Sequence, residues 1–482
     1  MVKCLKTLLF AFLATGLLGS STRHFTFIIK GSVTDEHGKG IAGVVVNNGV
    51  QFTATNDDGT WELATDTANS KFISISTPAG YHLPHSGGLA EGFYVPISKA
   101  VNSKAVTFRL KKRASTPDSF HYIVISDPQI LNEHDMHRWK TEAIPDIMHS
   151  ADSLRSTAEV VVMTLGDLVF DNMKLFSQYR NTMKHEGVTT FQCIGNHDFD
   201  KDLPDLNNSR TNATTYAEQL YGKYFGPTNY SFNIGKAHVI TMKNIDYRGD
   251  KRYKEHMTDA DLAWLRHDLS FVPRGTLVIL NMHAPAWNQA ETYANMDNGD
   301  ALRHLLSGYD AHVFCGHTHF FENVEVSPTL YQHNIGAACG TWWAGEVNRC
   351  GAPNGYMMVD VSGKSLTWHY KGSRLPLSQQ MYVYAQGEFK QYPHDIVANI
   401  WDWDSHCRTE WNQDGKPMGA MRQAYTYDQR ASLLWKKDFD KARTRHIFLA
   451  TPFGQYRTIK IVFTNRFGER YVNTVNNKFA KM

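Results

Sequence analysis

Six largely apolar runs in the middle of the chain, at residues 122–125, 160–163, 190–194, 238–242, 277–280 and 313–315, constrain the fold more than any other feature. None shows the polar/apolar alternation of a strand with one wet face, so each predicts a strand buried on both sides. Helical spacing fills the intervals. Leu262, Leu265 and Leu269, for example, share one face of a predicted helix over 260–269. Apolar strands sheathed by helices predict an α/β domain, which we place at residues 118–372.

The flanks read differently. Residues 24–113 carry short β-branched runs broken by turns at Gly38-Lys39-Gly40 and Asn56-Asp57-Asp58-Gly59, which predicts a small antiparallel β-domain. The texture of Gly31–Asp35, Gly40–Val44 and Thr55–Gly59 resembles the carboxypeptidase-regulatory-like β-sandwich. Such a domain would bind a glycan or simply pack against its neighbour. From 375 to 482 a third domain, β-rich or α+β, is expected, with strands at 459–464 and 470–473 and a helix over 428–442. Trp401 and Trp403 alternate by two, which predicts one strand face that packs between domains or offers a glycan platform.

Residues 1–20 have the anatomy of a signal peptide: Lys3 and Lys6, an apolar run over 8–18, then Gly19 and Ser20. Export to the periplasm or the extracellular space is therefore expected, and no later stretch is long and apolar enough to span a bilayer. Without the leader the chain holds 48 Lys+Arg against 47 Asp+Glu, a balance of +1 that argues against a nucleic-acid-coating or membrane-surface protein. Five cysteines remain, too few and too scattered for a disulfide framework, although Cys339 and Cys350 share a Gly/Trp-rich loop and could pair.

Five polar motifs follow the apolar runs: Ser126-Asp127-Pro128-Gln129, Gly166-Asp167, Gly195-Asn196-His197-Asp198, Met282-His283 and Gly316-His317-Thr318-His319. In open α/β sheets ligands bind beyond the carboxyl ends of strands, where all five converge. The donors are carboxylate, amide and imidazole without thiolate, a set that suits Mn, Fe or Zn in a reactive rather than a structural site. Asp127, Gln129, Asp167, Asn196, His283, His317 and His319 are seven donors, more than one ion uses and enough for two. Two divalent ions, one carboxylate bridging them, would hold a water, lower its pKa and clamp an in-line displacement at phosphorus.

The ordered set resembles the calcineurin-like metallophosphoesterases, whose signature is D-x-H, G-D, G-N-H-[DE], an isolated His and G-H-x-H. The resemblance covers about residues 120–370. It implies a central β-sandwich with flanking helices, a first metal held by Asp127, Gln129, Asp167 and His319, and a second held by Asp167, Asn196, His283 and His317. His197 would be the general acid, oriented by Asp171 or Asp198. Gln129 stands where most of the family has His; a neutral amide there would loosen the first metal or serve as a hydrogen-bonding neighbour. The Gln, with Phe225-Gly226-Pro227, Trp342-Trp343 and Pro353-Asn354-Gly355-Tyr356, resembles a secreted bacterial subgroup with an N-terminal β-domain and a C-terminal partner domain.

The implied reaction is hydrolysis of a phosphomonoester, phosphodiester or pyrophosphate bond by metal-bound hydroxide, on a phosphorylated small molecule or glycan. The competing reading is a non-catalytic polymer-binding protein on a degenerate scaffold; a dead copy usually loses several donors, and this chain replaces one. Trp342, Trp343 and Tyr356 would form a substrate wall or pack in the core. Asp171 orients His197 or caps the following helix, residues 201–215 suggest a lid, and His134, His137, His149 and His304 match no motif and are expected in solvent.

Overall fold

The computed structural model describes residues 26–202, 213–289, 295–434 and 442–477. The leader, most of the suggested lid and the end of the 428–442 helix lie outside the described residues; the part of that helix that is described is Gln429–Leu434.

Two sheets form the centre. A seven-stranded sheet is built around the parallel strands Ser119–Ile125, Glu159–Thr164 and Thr189–Gln192, with the antiparallel pair Gly355–Ser362 and Ser365–Gly372 on one side. A six-stranded sheet holds Ala237–Thr241, Leu277–Asn281 and Asp310–Cys315 side by side in parallel. Each of these strands has two dry faces. Phe120, Tyr122, Val124, Val161 and Met163 meet Val239, Leu277, Ile279 and Phe314 between the sheets. The alternate residues Ile123, Ile125, Val160 and Val162 pack outward against the helix Ile144–Leu154 and its neighbours. Val278, Leu280 and Val313 do the same against the helices Asp259–Leu269 and Gly299–Leu306. The unbroken apolar runs follow from this layering of helix, sheet, sheet and helix.

The helix Asp259–Leu269 starts at Thr258, whose hydroxyl accepts the Asp261 N–H at 3.2 Å while the Asp261 carboxylate reaches back to the Thr258 N–H at 3.1 Å. Its Trp264 leans on the N-terminal domain: the indole N–H donates to Asn47 Oδ1 at 3.3 Å and the ring meets Phe52 edge-on at 5.6 Å. That domain is a small β-sandwich of a three-stranded and a four-stranded sheet. Its chain also lends the short strand Leu89–Ala90 to the large central sheet, beside Thr189–Gln192. The C-terminal region forms two four-stranded sheets, one ending in Thr458–Thr464 and Arg470–Asn476.

Two sequence expectations need correction here. Trp401 and Trp403 do not share a strand face, because the strand Ile396–Ile400 ends before them. The chain turns there so that Asp402 can accept the Asn323 amide at 3.0 Å and the Tyr370 N–H at 3.2 Å across the domain boundary. Trp401 is buried with the central core, and Trp403 tilts against Phe448. Cys339 and Cys350 are free buried thiols, Cys350 Sγ accepting the Phe321 N–H at 3.2 Å. His134, His137, His149 and His304 are exposed as expected, and among the described residues no helix is long and apolar enough to cross a membrane.

The C-terminal boundary holds histidines that burial keeps neutral. His312 stacks on His333 with Nδ1 to Nε2 at 3.0 Å, and burial, then Arg466, pushes His312 down to about 4. Burial alone takes His446 down to about 3. An unfolded histidine binds its proton near pH 6.5, so below that pH the unfolded chain takes up protons that the folded one refuses. The contribution of these histidines is thus fully present above about pH 6.5 and is lost from there toward pH 4, against the opposite trend of Asp198 and Asp402, whose carboxyls burial pushes up to about 7 and about 6. Urea midpoints of the parent and of His446→Gln across that window test this: the parent should lose more stability toward low pH than the variant, and parallel profiles would contradict it.

Candidate metal centre

All five motifs leave the carboxyl ends of central strands, three from the seven-stranded sheet and two from the six-stranded one. The turns that follow are sharp. Asp127, Gln129, Asp167, Asp171, His317, His319, Trp342 and Trp343 all adopt positive φ, eight of the twelve such non-glycine residues described. Strained backbone of this kind costs on the order of 1 to 3 kcal/mol per residue and persists only where the surroundings enforce it, so its concentration here marks a built site.

Asp167 sits at the centre with no solvent exposure. Its Oδ1 accepts the His197 N–H at 2.7 Å and its Oδ2 accepts the Gln129 amide at 2.8 Å. His283 Nε2 lies 3.3 Å from Asp167 Oδ1 and 2.9 Å from Asn196 Oδ1, and His317 Nδ1 lies 3.2 Å from His283 Nε2. One ligand atom from each of Asp167, His283 and His317 falls within 4.8 Å of the others. Burial would raise the Asp167 carboxyl, but His283, His197 and His317 hold it well below the ordinary range. Burial would likewise strip His283 of its proton, yet Asp167 pushes it up to about 9. The cluster calls for positive charge.

A second group adjoins it. Asp127 Oδ1, Gln129 Oε1 and His319 Nε2 are buried and lack any hydrogen-bond partner among the described residues, with His319 Nε2 3.7 Å from Asp127 Oδ1. Burial lowers His319, keeping its ring neutral, and its Nδ1–H donates to the Gly340 carbonyl at 2.5 Å. Its Nε2 lone pair is therefore turned inward. His283 is set the same way, its Nδ1–H on the Leu165 carbonyl at 2.8 Å. Imidazoles anchored at one nitrogen with the other turned toward the centre, beside orphaned carboxylate and amide oxygens, are the donor set a divalent ion takes. The residues fit two such ions.

His197 lies at the rim. Its Nδ1–H donates to Asp171 Oδ1 at 2.9 Å, its ring stacks on Phe170 with centroids 3.9 Å apart, and Nε2 is left to act. Lys201 Nζ reaches the same Asp171 oxygen at 2.5 Å. Burial works against the charge of Asp171, but these two partners lower its carboxyl. Asp171 thus orients His197 instead of capping a helix.

Asp198 does not orient His197. Its carboxylate accepts the backbone N–H groups of Leu168, Val169 and Gly195 at 2.9–3.2 Å, tying two motif loops together beneath the site. Tyr356 is also misplaced as a substrate wall: it is buried on the helix side of the sheet, bonded to Ser150 and Asp146. Trp343 is buried too, its indole N–H on the Pro128 carbonyl at 2.9 Å and Arg138 over its ring. Trp342 alone of the three reaches solvent, 37% exposed and stacked on His319 at 4.7 Å.

Sequence reading missed two supports. Glu255 accepts from His317 Nε2 at 3.2 Å, and Asn244 Oδ1 accepts the N–H groups of His283 and Ala284 at 3.2 and 3.0 Å. Neither belongs to a recognisable motif; Glu255 lies in a charged hairpin and Asn244 in a short loop.

Residues 120–321 match the calcineurin-like phosphoesterase family, residues 27–113 the N terminal of calcineurin-like phosphoesterase and residues 332–471 its C terminal. Solved structures with similarity include a dimetal phosphatase from Danio rerio, 14% identical over 52% of this chain and 96% of that one, TM-score 0.36. Others are GAP50, the anchor in the inner membrane complex of Plasmodium (14%, 53% and 84%, TM-score 0.34), and 5'-nucleotidase from Candida albicans (12%, 53% and 51%, TM-score 0.34). No curated protein matches the sequence.

Gly316 offers a direct test of the packing. A Cβ there would fall 1.5 Å from Ser126 Oγ and 2.5 Å from Asp127 Oδ2, so Gly316→Ala must push the Asp127 loop aside. We expect a folded protein by circular dichroism that binds less metal than the parent by plasma mass spectrometry. Unchanged metal content would show that Asp127 is not held where the structure has it.

Proposed function

Because the chain belongs to the calcineurin-like phosphoesterases, with their N- and C-terminal domains, and is a metal-dependent phosphoester hydrolase, we propose that it is an exported enzyme with a dinuclear centre. Asp127, Gln129, Asp167 and His319 would hold one ion, and Asp167, Asn196, His283 and His317 the other. The observation that carries this reading is the trio of orphaned buried atoms, Asp127 Oδ1, Gln129 Oε1 and His319 Nε2, beside the Asp167, His283 and His317 cluster. Mn, Fe and Zn suit these donors, in a like or mixed pair. Bound there, two ions would supply Lewis acidity at the phosphoryl oxygens and lower the pKa of water.

The chain's own residues do the rest. Asp167 faces both donor groups and is positioned by the His197 N–H and the Gln129 amide. Asp171 holds His197 by Nδ1, which directs Nε2 toward the departing oxygen so that the ring delivers its proton there. Lys201, its side chain 6% exposed, fixes the Asp171 carboxylate in turn. Trp342 presents an apolar face beside His319, suited to the organic part of a phosphorylated small molecule or glycan. Phosphomonoesters, phosphodiesters and pyrophosphates are all compatible with this arrangement.

Export and a periplasmic or extracellular location rest on the leader residues 1–20, and the secreted bacterial subgroup on Gln129 together with the two flanking domains. Metal content, with hydrolysis of nitrophenyl phosphate and bis-nitrophenyl phosphate with and without chelator, tests the dinuclear reading. Two metals per chain and chelator-sensitive turnover are expected. Asp167→Asn should abolish hydrolysis with the fold retained, whereas His197→Ala should slow turnover by about 10²–10⁴-fold with metals still bound. Full activity in Asp167→Asn would remove the shared carboxylate from the scheme.

A further inference from the structure

The strands Ile245–Gly249 and Arg252–Glu255 form a hairpin separate from both central sheets. It is fastened over the metal centre at two points. Tyr247, buried, stacks on Phe199 immediately after Asp198, with centroids 5.7 Å apart and planes 17° from parallel. Glu255 meets His317 Nε2 at 3.2 Å.

Side chains alternate along a strand, so Tyr253 shares the face of Glu255 and stands opposite Tyr247 in the register. Arg252 and Lys254 occupy the other face and extend into solvent. Tyr253 thus points where Glu255 points, and its ring lies edge-on to His317, centroids 6.0 Å apart. Its hydroxyl makes no hydrogen bond to any described residue, although the side chain is half-buried. The nearby acids are already engaged: Asp167 by His197 and Gln129, Glu255 by His317, Asp171 by His197 and Lys201. A donor is left at the mouth of the site, and the acceptor it lacks is an anion that arrives with the substrate.

We propose that Tyr253 is a substrate-contacting residue whose hydroxyl donates a hydrogen bond to a non-bridging oxygen of the phosphoryl group, the hairpin forming one wall of the site. The inference rests on the phosphoester reading above. It makes Tyr253 a determinant of phosphoryl affinity and turnover, whereas Trp342 contacts the organic part.

The test is Tyr253→Phe in the full-length, metal-loaded protein, which keeps the ring against His317 and removes only the donor. Inorganic phosphate affinity by calorimetry should weaken about tenfold to a hundredfold, with a similar loss in kcat/KM on whichever nitrophenyl ester the parent cleaves, and with metal content unchanged. Phosphate binding and turnover within about twofold of the parent would overturn the proposal. So would loss of metal in Tyr253→Phe, since the tyrosine would then support His317 instead of the substrate. A parent protein that neither binds phosphate nor cleaves either ester would overturn the phosphoester reading and this role with it; a parent that does both, unaffected by the substitution, would overturn the tyrosine alone.

Discussion

A carboxylate buried without exposure, Asp167, sets the terms for the rest of the centre. Taking such a charge out of water costs several kcal/mol even after relaxation, and the cost is met only by hydrogen bonds and nearby cations. The chain brings the His197 N–H, the Gln129 amide and the imidazole of His283 to it from three different strand ends. The imidazoles of the centre are in turn held from behind: His283 by the Leu165 carbonyl and Asn244, His317 by Glu255, His319 by the Gly340 carbonyl. The chemistry of the site thus depends on the relative placement of loops that belong to two sheets.

That placement is what the layered core provides. The strands before Asp127, Asp167 and Asn196 lie side by side in one sheet, those before His283 and His317 in the other, and the aromatic and aliphatic residues between them fix the distance. A packed interior transmits strain with little give, so the left-handed backbone at the ligand positions can be sustained. Gly195 shows how little room remains: a Cβ there would lie 2.2 Å from both the amide nitrogen and Oδ1 of Asp167. Asp198 contributes from below, its three backbone contacts joining the Gly166-Asp167 and Gly195-Asn196 turns.

The central sheets and the convergence of the five motifs were legible because both follow from local rules: continuous apolar runs for strands dry on two faces, and polar residues directly after them for a strand-end site. What escaped has a common cause. Glu255 and Tyr253 reach the centre from a hairpin that ends no apolar run, so only the tertiary path places them, and Asn244 follows the run 238–242 without belonging to a recognisable motif. Tyr356 was misread because position along the chain says nothing of strand face: in Gly355–Ser362 it points toward Ser150 and the helices. Asp198 lies next to His197 in sequence, yet the turn sends its side chain under the loops. Trp401 and Trp403 alternate by two in a segment that turns to seat Asp402 across a domain boundary, where the strand period has no meaning.

The replacement of an imidazole by Gln129 reads differently once the two halves of the centre are compared. In the sequence it suggests a looser first ion, since an amide oxygen is the weaker donor. In the structure the first group presents Asp127 Oδ1, Gln129 Oε1 and His319 Nε2 buried and unpaired, each carrying a desolvation cost of about 1 to 3 kcal/mol that a cation would relieve. The second group is already bonded within itself, His283 Nε2 to Asn196 Oδ1 and His317 to both His283 and Glu255, so an ion entering there must displace contacts. Relief of three orphaned atoms at the first position therefore offsets the poorer ligand, and Gln129 contributes twice, through the Nε2–H that holds Asp167 and through the Oε1 it leaves facing inward.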